Sequence, residues 1–193
     1  AFIMSNNSEW GFNPCVEASL EDCGFCNLTT INASTVESQE DFELRCKHGA
    51  FIGTLQSGYT DFHFLRDKWR HNAEKKPLLG VSMTGIASEK FLKFDLKAGA
   101  LACVAENKRV AELIGVLPAL RICNVKPEGT VSCVVGSSSG VHAWHNDFYI
   151  RRVRVGKNEA LYTYLATHHP ELIEDEFFKP KEMAVISIPM KAP

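Results

Sequence analysis

Residues 77–85 read PLLGVSMTG, an apolar run of strand length that enters from a proline and leaves at a glycine. A run this short, with no helical period, is the pattern of a buried strand. Its surroundings decide the fold. Upstream, Ser38-Gln39-Glu40-Asp41 has capping-box character and opens a helix through about residue 56, ending before Gly58. The inward positions of that helix, Cys46, Gly49, Ala50 and Gly53, are small and predict close packing against a neighbour. Asp61 opens a second helix, FHFLRDKWRHNAEK, which Pro77 stops. Downstream, residues 89–114 are helical in period, with Phe91, Phe94, Leu101, Val104, Ala105, Leu113 and Ile114 on the apolar side. ALRICNV (119–125) reads as a strand, and EGTVSCVVGSSSG (128–140) as a Gly/Ser/Thr loop around a short apolar stretch. FYIRRVRV (148–155) alternates like a strand, NEALYTYLATHH (158–169) is a helix stopped by Pro170, and EMAVISIPM (182–190) is a final strand. Strands alternating with helices predict an α/β architecture with crossover connections. No repeat, low-complexity run or linker divides the chain, so residues 1–193 read as one segment.

The bulk properties narrow the function. The chain has 45% hydrophobic and 23% charged residues, an ordinary globular composition, over a length that can bury a core. A net charge of −2 offers no basic field for nucleic acid. No apolar run reaches membrane-spanning length and AFIMSNNSEW has no secretory leader pattern, so a cytoplasmic protein is expected. Seven cysteines are too sparse for a disulfide scaffold and are expected to be reduced thiols. Asn6, Asn27 and Asn32 open Asn-x-Ser/Thr triplets, read here as chance matches. The chain opens on Ala1 and stops at SIPMKAP, which reads as part of something longer.

The stretch GFNPCVEASLEDCGFCNLTTIN (11–32) carries the chemistry. Asn13, Cys15 and Glu17 alternate, so in an extended finger they share one face. A carboxylate two residues away disfavours a thiolate, which makes Cys15 a poor ionic nucleophile. Hydrogen-atom chemistry fits the pair better, with Glu17 as general base for a hydroxyl and Asn13 as orienter. On spacing alone the plainer reading, a small apolar cysteine and a solvated glutamate, stands ahead. Cys23 and Cys26 form a C-x-x-C, but His142, His145, His168 and His169 complete no zinc pattern, so no metal is expected. That pair reads as a dithiol or as buried thiols. Gly129, Thr130 and Ser132, behind Pro127, read either as a helix start whose free N–H groups hold a phosphate or as an ordinary turn. Arg151 and Arg152 fall on opposite strand faces, with Arg154 below Arg152, and are expected to pair with carboxylates or meet water. Met83 and Trp69 read as core.

Four blocks together resemble the catalytic subunit of ribonucleotide reductases, most closely the adenosylcobalamin-dependent (class II) enzymes of the monomeric, triphosphate-using kind. They are NPCVEASLEDCGFCNLTTIN, GTLQSGYTDFHFLRDKW with LLGVSMTGI, VKPEGTVSCVVGSSSGVH, and FYIRRVRV, in family order and over nearly the whole chain. The resemblance implies the second half of a ten-stranded α/β barrel. It implies that Cys15 carries a thiyl radical that removes the ribose 3′ hydrogen. Glu17 then takes the 3′-hydroxyl proton, Asn13 holds a sugar hydroxyl, and Cys26 supplies reducing equivalents as the 2′-hydroxyl leaves as water. The block around Lys126 and Pro127 implies a substrate phosphate site at Gly129, Thr130, Val131 and Ser132, mostly through backbone N–H groups. Adenosylcobalamin, a ribonucleotide substrate, a thioredoxin-like or dithiol reductant and an upstream half-barrel follow by the same resemblance. A class I-type subunit with a partner-generated radical, or a non-catalytic nucleotide-binding fragment, are the alternatives.

The chain departs from the family pattern in four places. Val16 stands where many relatives have glycine, and Glu128 where serine is common. Cys23 matches nothing in the pattern. No cysteine precedes Cys15 to pair with Cys26, and Cys123 has no spacing argument as a substitute.

Overall fold

The computed structural model describes residues 10–192, which leaves Asn6 outside the described residues. The chain divides into two compact units, the first running up to Ala143 and the second from Trp144.

The first unit begins with a two-stranded antiparallel hairpin, β1 (Trp10–Phe12) and β2 (Ser19–Glu21). A parallel sheet follows, built from β3 (Asn27–Asn32), β4 (Leu78–Thr84) and β5 (Arg121–Cys123) in that spatial order. Helix α1 (Gln39–Ser57) and the shorter α2 (Asp67–Lys75) connect β3 to β4, and α3 (Leu96–Ile114) connects β4 to β5. This is the predicted α/β crossover pattern. The Ser38 hydroxyl caps α1 by accepting from the Asp41 N–H, as the capping-box sequence requires. Ile31, Phe42, Cys46, Ala50, Val81 and Cys103 form the core between the sheet and the α1–α3 layer. The small residues of α1 permit this closeness: a Cβ on Gly49 would lie 2.9 Å from a Val81 methyl.

Three expectations change here. Residues 61–66 are not helical, and α2 starts at Asp67, because Phe62 turns back to lie 4.9 Å from the Phe25 ring. Strand β3 is an element the apolar-run criterion passes over. The buried side of α3 is not the large apolar one: Leu101 and Leu113 are exposed, and Gly99, Ala102, Cys103, Asn107, Val110 and Ala111 are buried. Size selects that face, since Gly99 lies directly against the Phe42 ring.

Asn107 is the one polar side chain of α3 that is fully buried. Its Nδ2 donates to Thr54 Oγ1 at 2.8 Å and its Oδ1 accepts from the Ala119 N–H at 2.9 Å, tying α3 both to α1 and to the approach to β5. Asn107→Leu leaves the Ala119 N–H without its acceptor in the interior. It is expected to cost about 1–3 kcal/mol, a fall in Tm of about 2–4 °C per kcal/mol at this chain length. A thermal melt followed by circular dichroism checks it.

After β5 come the five-residue α4 (Val131–Val135) and the second unit. That unit is an antiparallel sheet of β6 (Phe148–Gly156), β7 (Ile173–Asp175) and β8 (Met183–Lys191), ordered β6-β8-β7, with α5 (Ala160–His168) packed on it. The crossover pattern therefore stops at β5. Arg152 pairs with Glu174, and Arg154 lies 3.3 Å from Glu176, as expected for strand arginines. Two backbone N–H groups, of Lys179 and Phe178, together with Arg154 hold the Glu176 carboxyl below the usual carboxylate range.

Candidate functional site

The predicted extended finger is a hairpin turn. Asn13 and Val16 close a β-turn through the Val16 N–H and the Asn13 carbonyl at 2.9 Å, with Pro14 and Cys15 at its centre. Proline presets the first central φ of such a turn. Asn13, Cys15 and Glu17 thus do not share a strand face, which corrects the alternation argument. The Asn13 side-chain oxygen accepts from the Ala18 N–H at 3.0 Å, so it builds the turn and leaves its Nδ2 for other work. Cys15 sits exposed at the tip as a free thiol. Val16 has φ +65° there, in the left-handed region that disfavours a β-branched side chain. The departure from glycine at this position therefore carries backbone strain.

Beyond the hairpin, the chain is braced so that Cys26 enters β3 in a fixed position. Phe25 packs between Phe62 and Trp69 in tilted contacts, with ring centroids at 4.9 and 4.8 Å. Lys68 pairs with Asp22 at 2.7 Å, and Asn72 Nδ2 donates to the Asp22 carbonyl at 2.7 Å. Cys23 belongs to this bracing. It is buried, with φ +59°, and its sulfur accepts from Arg66 at 3.5 Å. Cys23 and Cys26 are both free thiols.

Glu17 acts on Cys26. Burial, and then the nearby Glu17 carboxylate, push the Cys26 thiol up to about 11. Both Glu17 carboxylate oxygens are buried with no hydrogen-bond partner among the described residues. An unpaired buried carboxylate is costly unless something else supplies a donor. A protonated thiol beside a carboxylate is a hydrogen donor next to a base. A thiol at about 11, against the usual 9.0, leaves about 100-fold less thiolate at pH 8. Alkylation of Cys26 by iodoacetamide at that pH is therefore expected to run about 100-fold slower than in a model peptide. Glu17→Gln is expected to speed it. Peptide mapping by mass spectrometry reads both rates.

The second part of the site is the loop from Pro127 to Gly140, whose ends are joined by the Gly140 N–H and the Pro127 carbonyl at 2.8 Å. It docks on the C-terminal ends of the parallel strands. Ser137 pairs with Thr84, the Gly85 N–H donates to the Ser138 carbonyl at 2.7 Å, and Thr30 Oγ1 donates to Glu128 Oε1 at 2.6 Å. Ligands of open α/β sheets bind at those strand ends. Gly129, Thr130 and Val131 are exposed, whereas Ser132 is buried, with its N–H donating to the Glu128 carbonyl and its hydroxyl to the Gly129 carbonyl. Ser132 therefore shapes the loop, and the amides ahead of it are the ones open to an anion. Glu128 is buried at φ +56°, and its Oε2 has no partner among the described residues.

Strand alternation links the two parts. Thr29, Ile31 and Val81 face α1 around Gly49. Leu28 and Thr30 hence face the other way, and the same alternation carried back one step places Cys26 with them. Cys26 and Thr30 are then about 13 Å apart along one face, with Glu17 at one end and the Glu128 loop at the other. Cys123 lies elsewhere. It is opposite Val81 in register, on the side of the sheet where the neighbouring Cys103 thiol lowers its pKa. It is thereby separated from Cys26. Among the described residues no cluster of three metal-ligating side chains occurs, and no helix is long and apolar enough to cross a membrane.

No family model matches the chain. The chain is 28% identical to the adenosylcobalamin-dependent ribonucleoside-triphosphate reductase of Euglena gracilis, over 94% of this chain and 25% of that protein. It is 28% identical to a probable enzyme of the same name from Dictyostelium discoideum, over 93% of this chain and 24% of that one. The Lactobacillus acidophilus enzyme of that name is 27% identical over 78% of this chain. The chain spans about a quarter of the length of these curated relatives. A crystal structure of a B12-dependent (class II) ribonucleotide reductase superposes with a TM-score of 0.69 at 22% identity, covering 96% of this chain and 30% of that one. The chain thus shares an α/β fold with that reductase and is similar, over most of its length, to adenosylcobalamin-dependent reductases.

Proposed function

We propose that this chain is a catalytic segment of a cytoplasmic, class II-like ribonucleotide reductase, forming the second half of its barrel, with the first half supplied by further polypeptide. The observation that carries the reading is the Cys26 thiol near Glu17 just ahead of β3, with Thr30 of β3 holding Glu128 of the loop. A thiol, a base and an anion loop are what a sugar phosphate needs if its sugar is to react while its phosphates are held.

In this reading the amides of Gly129, Thr130 and Val131 hold the substrate phosphates, and Ser132 keeps the loop in shape. Asn13 Nδ2 holds a sugar hydroxyl. Cys15, as a thiyl radical, takes the 3′ hydrogen atom, and Glu17 takes the 3′-hydroxyl proton. Cys26, still protonated at neutral pH, gives its proton as the 2′-hydroxyl leaves as water, and a second thiol from outside this chain gives a hydrogen atom to C2′. The electron left on the two sulfurs and the proton held by Glu17 return to the C3′ ketone, and Cys15 then returns a hydrogen atom to C3′. Cys26 and that second thiol end as a disulfide, which a thioredoxin-like or dithiol reductant reopens. Adenosylcobalamin supplies, when bound, the one-electron chemistry that converts the Cys15 thiol to its radical. An exposed, unpaired thiol at a hairpin tip fits that requirement, and no residue of this chain is assigned to holding the cofactor.

The test is anaerobic reduction of a ribonucleoside triphosphate with adenosylcobalamin and a dithiol, by the chain alone and by the chain together with the polypeptide encoded upstream. Deoxyribonucleotide formed only in the mixture supports the reading. No product from either, with the chain folded and nucleotide unbound, overturns it.

A further inference from the structure

Among the described residues, three side chains of the first unit's candidate site hold buried polar atoms without partners: Glu17, Asn124 and Glu128. Glu17 and Glu128 mark the two ends of the site. Asn124 differs from them in that both its Oδ1 and its Nδ2, a donor as well as an acceptor, are unpartnered among the described residues.

Its place follows from the strand geometry. Cys123 is opposite Val81 on the helix-covered face, so Asn124, one residue on, faces the other way. Its own N–H continues the sheet by donating to the Val81 carbonyl at 3.1 Å. The side chain lies over Gly80, where a Cβ would come 2.6 Å from Asn124 Nδ2 and 2.5 Å from a Leu28 methyl. Gly80 pairs in register with Leu28, midway between Cys26 and Thr30. The absence of a side chain at position 80 is what makes room for the amide at that point. Asn124 thus stands on the same face as the thiol end and the loop end, between them.

A buried primary amide has two donors and an acceptor with two lone pairs, and native interiors leave few such groups unsatisfied. Leu28 and Gly80, its neighbours on the face, offer no side-chain partner. We propose that Asn124 is a ligand-contacting residue: its side-chain amide hydrogen-bonds the bound nucleotide between the phosphates and the reacting carbon, through a sugar hydroxyl, a group that both donates and accepts. This rests on the nucleotide-binding reading above, and it adds a determinant of ribose recognition on the β5 side of the site.

The test uses Asn124→Leu, close in shape and apolar, and Asn124→Ala as a second variant. Melting temperature without ligand and affinity for a ribonucleoside triphosphate and its 2′- and 3′-deoxy analogues are measured by calorimetry. With no partner among the described residues to lose, Asn124→Leu is expected to melt at or above the wild-type temperature. Both variants are expected to bind the ribonucleotide at least about tenfold more weakly. The wild type is expected to bind one deoxy analogue more weakly than the ribonucleotide, a distinction the variants lose. A wild type that binds nucleotide while both variants bind it equally well overturns the assignment of Asn124 and leaves the reading of the site standing. A lowered melting temperature with unchanged affinity does the same, by showing a structural role. A folded wild type that binds no nucleotide, either alone or together with the polypeptide encoded upstream, overturns the reading itself, and this inference with it.

Discussion

Alanine at position 15 is expected to abolish ribonucleotide reduction by the assembled enzyme, a loss of at least about 10⁴-fold, with nucleotide affinity kept within about twofold. The asymmetry comes from where the thiol sits. Cys15 is exposed at the centre of the Asn13–Val16 turn and has no place in the core. Its loss should leave the fold and the loop from Pro127 to Gly140 as they are. Cys15→Ser is expected to be equally inactive, because an alcohol O–H bond is stronger than a thiol S–H bond and yields its hydrogen atom far less readily. An ionic nucleophile would behave differently, since serine with a neighbouring base retains some activity in that role. Parallel measurement of turnover and of nucleotide binding on both variants separates the two. Activity surviving in Cys15→Ala would remove Cys15 from the mechanism.

The surroundings of Glu17 are what the sequence alone left hidden. In the sequence it is a glutamate two residues from a cysteine, and exposure in a turn is the plainer expectation. Folding instead buries both of its oxygens and sets its charge against Cys26, nine residues on. The alternating pattern of residues 13–17 singles out its residues through an extension the structure does not have, because proline and a tight turn override it. The elements legible in the sequence were those whose buried sides are apolar or small and whose ends are signposted. Helix α1 had Ser38 and Gly58, β4 had Pro77 and Gly85, and α5 had Pro170. Strand β3 was illegible for the opposite reason. Asn27, Thr29, Thr30 and Asn32 make it polar on both faces, since one face packs on glycine and the other carries the candidate site. Helix α3 likewise hid its inner face, where contact with α1 demands small side chains and leaves leucines outside. The sequence pattern reports apolarity, and this unit is assembled partly by size.

The loop from Pro127 to Gly140 gives the second large effect. A Cβ on Gly140 would fall well inside contact with the Lys126 carbonyl oxygen and press on the carbonyl carbon of Pro127 at 3.3 Å. Those atoms are backbone, so no side-chain rotation can relieve the clash. The same chain crossing includes the Gly140 N–H bond to Pro127 that closes the loop. Gly140→Ala is therefore expected to spring the loop open, to destabilise by about 1–3 kcal/mol, and to weaken nucleotide binding more than tenfold. Gly129→Ala is the internal control. Nothing lies within 4 Å of a Cβ there, and the substitution keeps the N–H that would meet a phosphate. It is expected to change stability by less than about 0.5 kcal/mol and to leave affinity near the wild-type value. The two alanines sit eleven positions apart in one loop and differ only in whether the backbone has room. If both bind nucleotide like the wild type, the anion site lies outside this loop, whatever its place at the strand ends. If Gly140→Ala alone loses binding, the closure at its neck is what aligns the amides of Gly129, Thr130 and Val131, and Glu128 is held beside the phosphates by the same constraint.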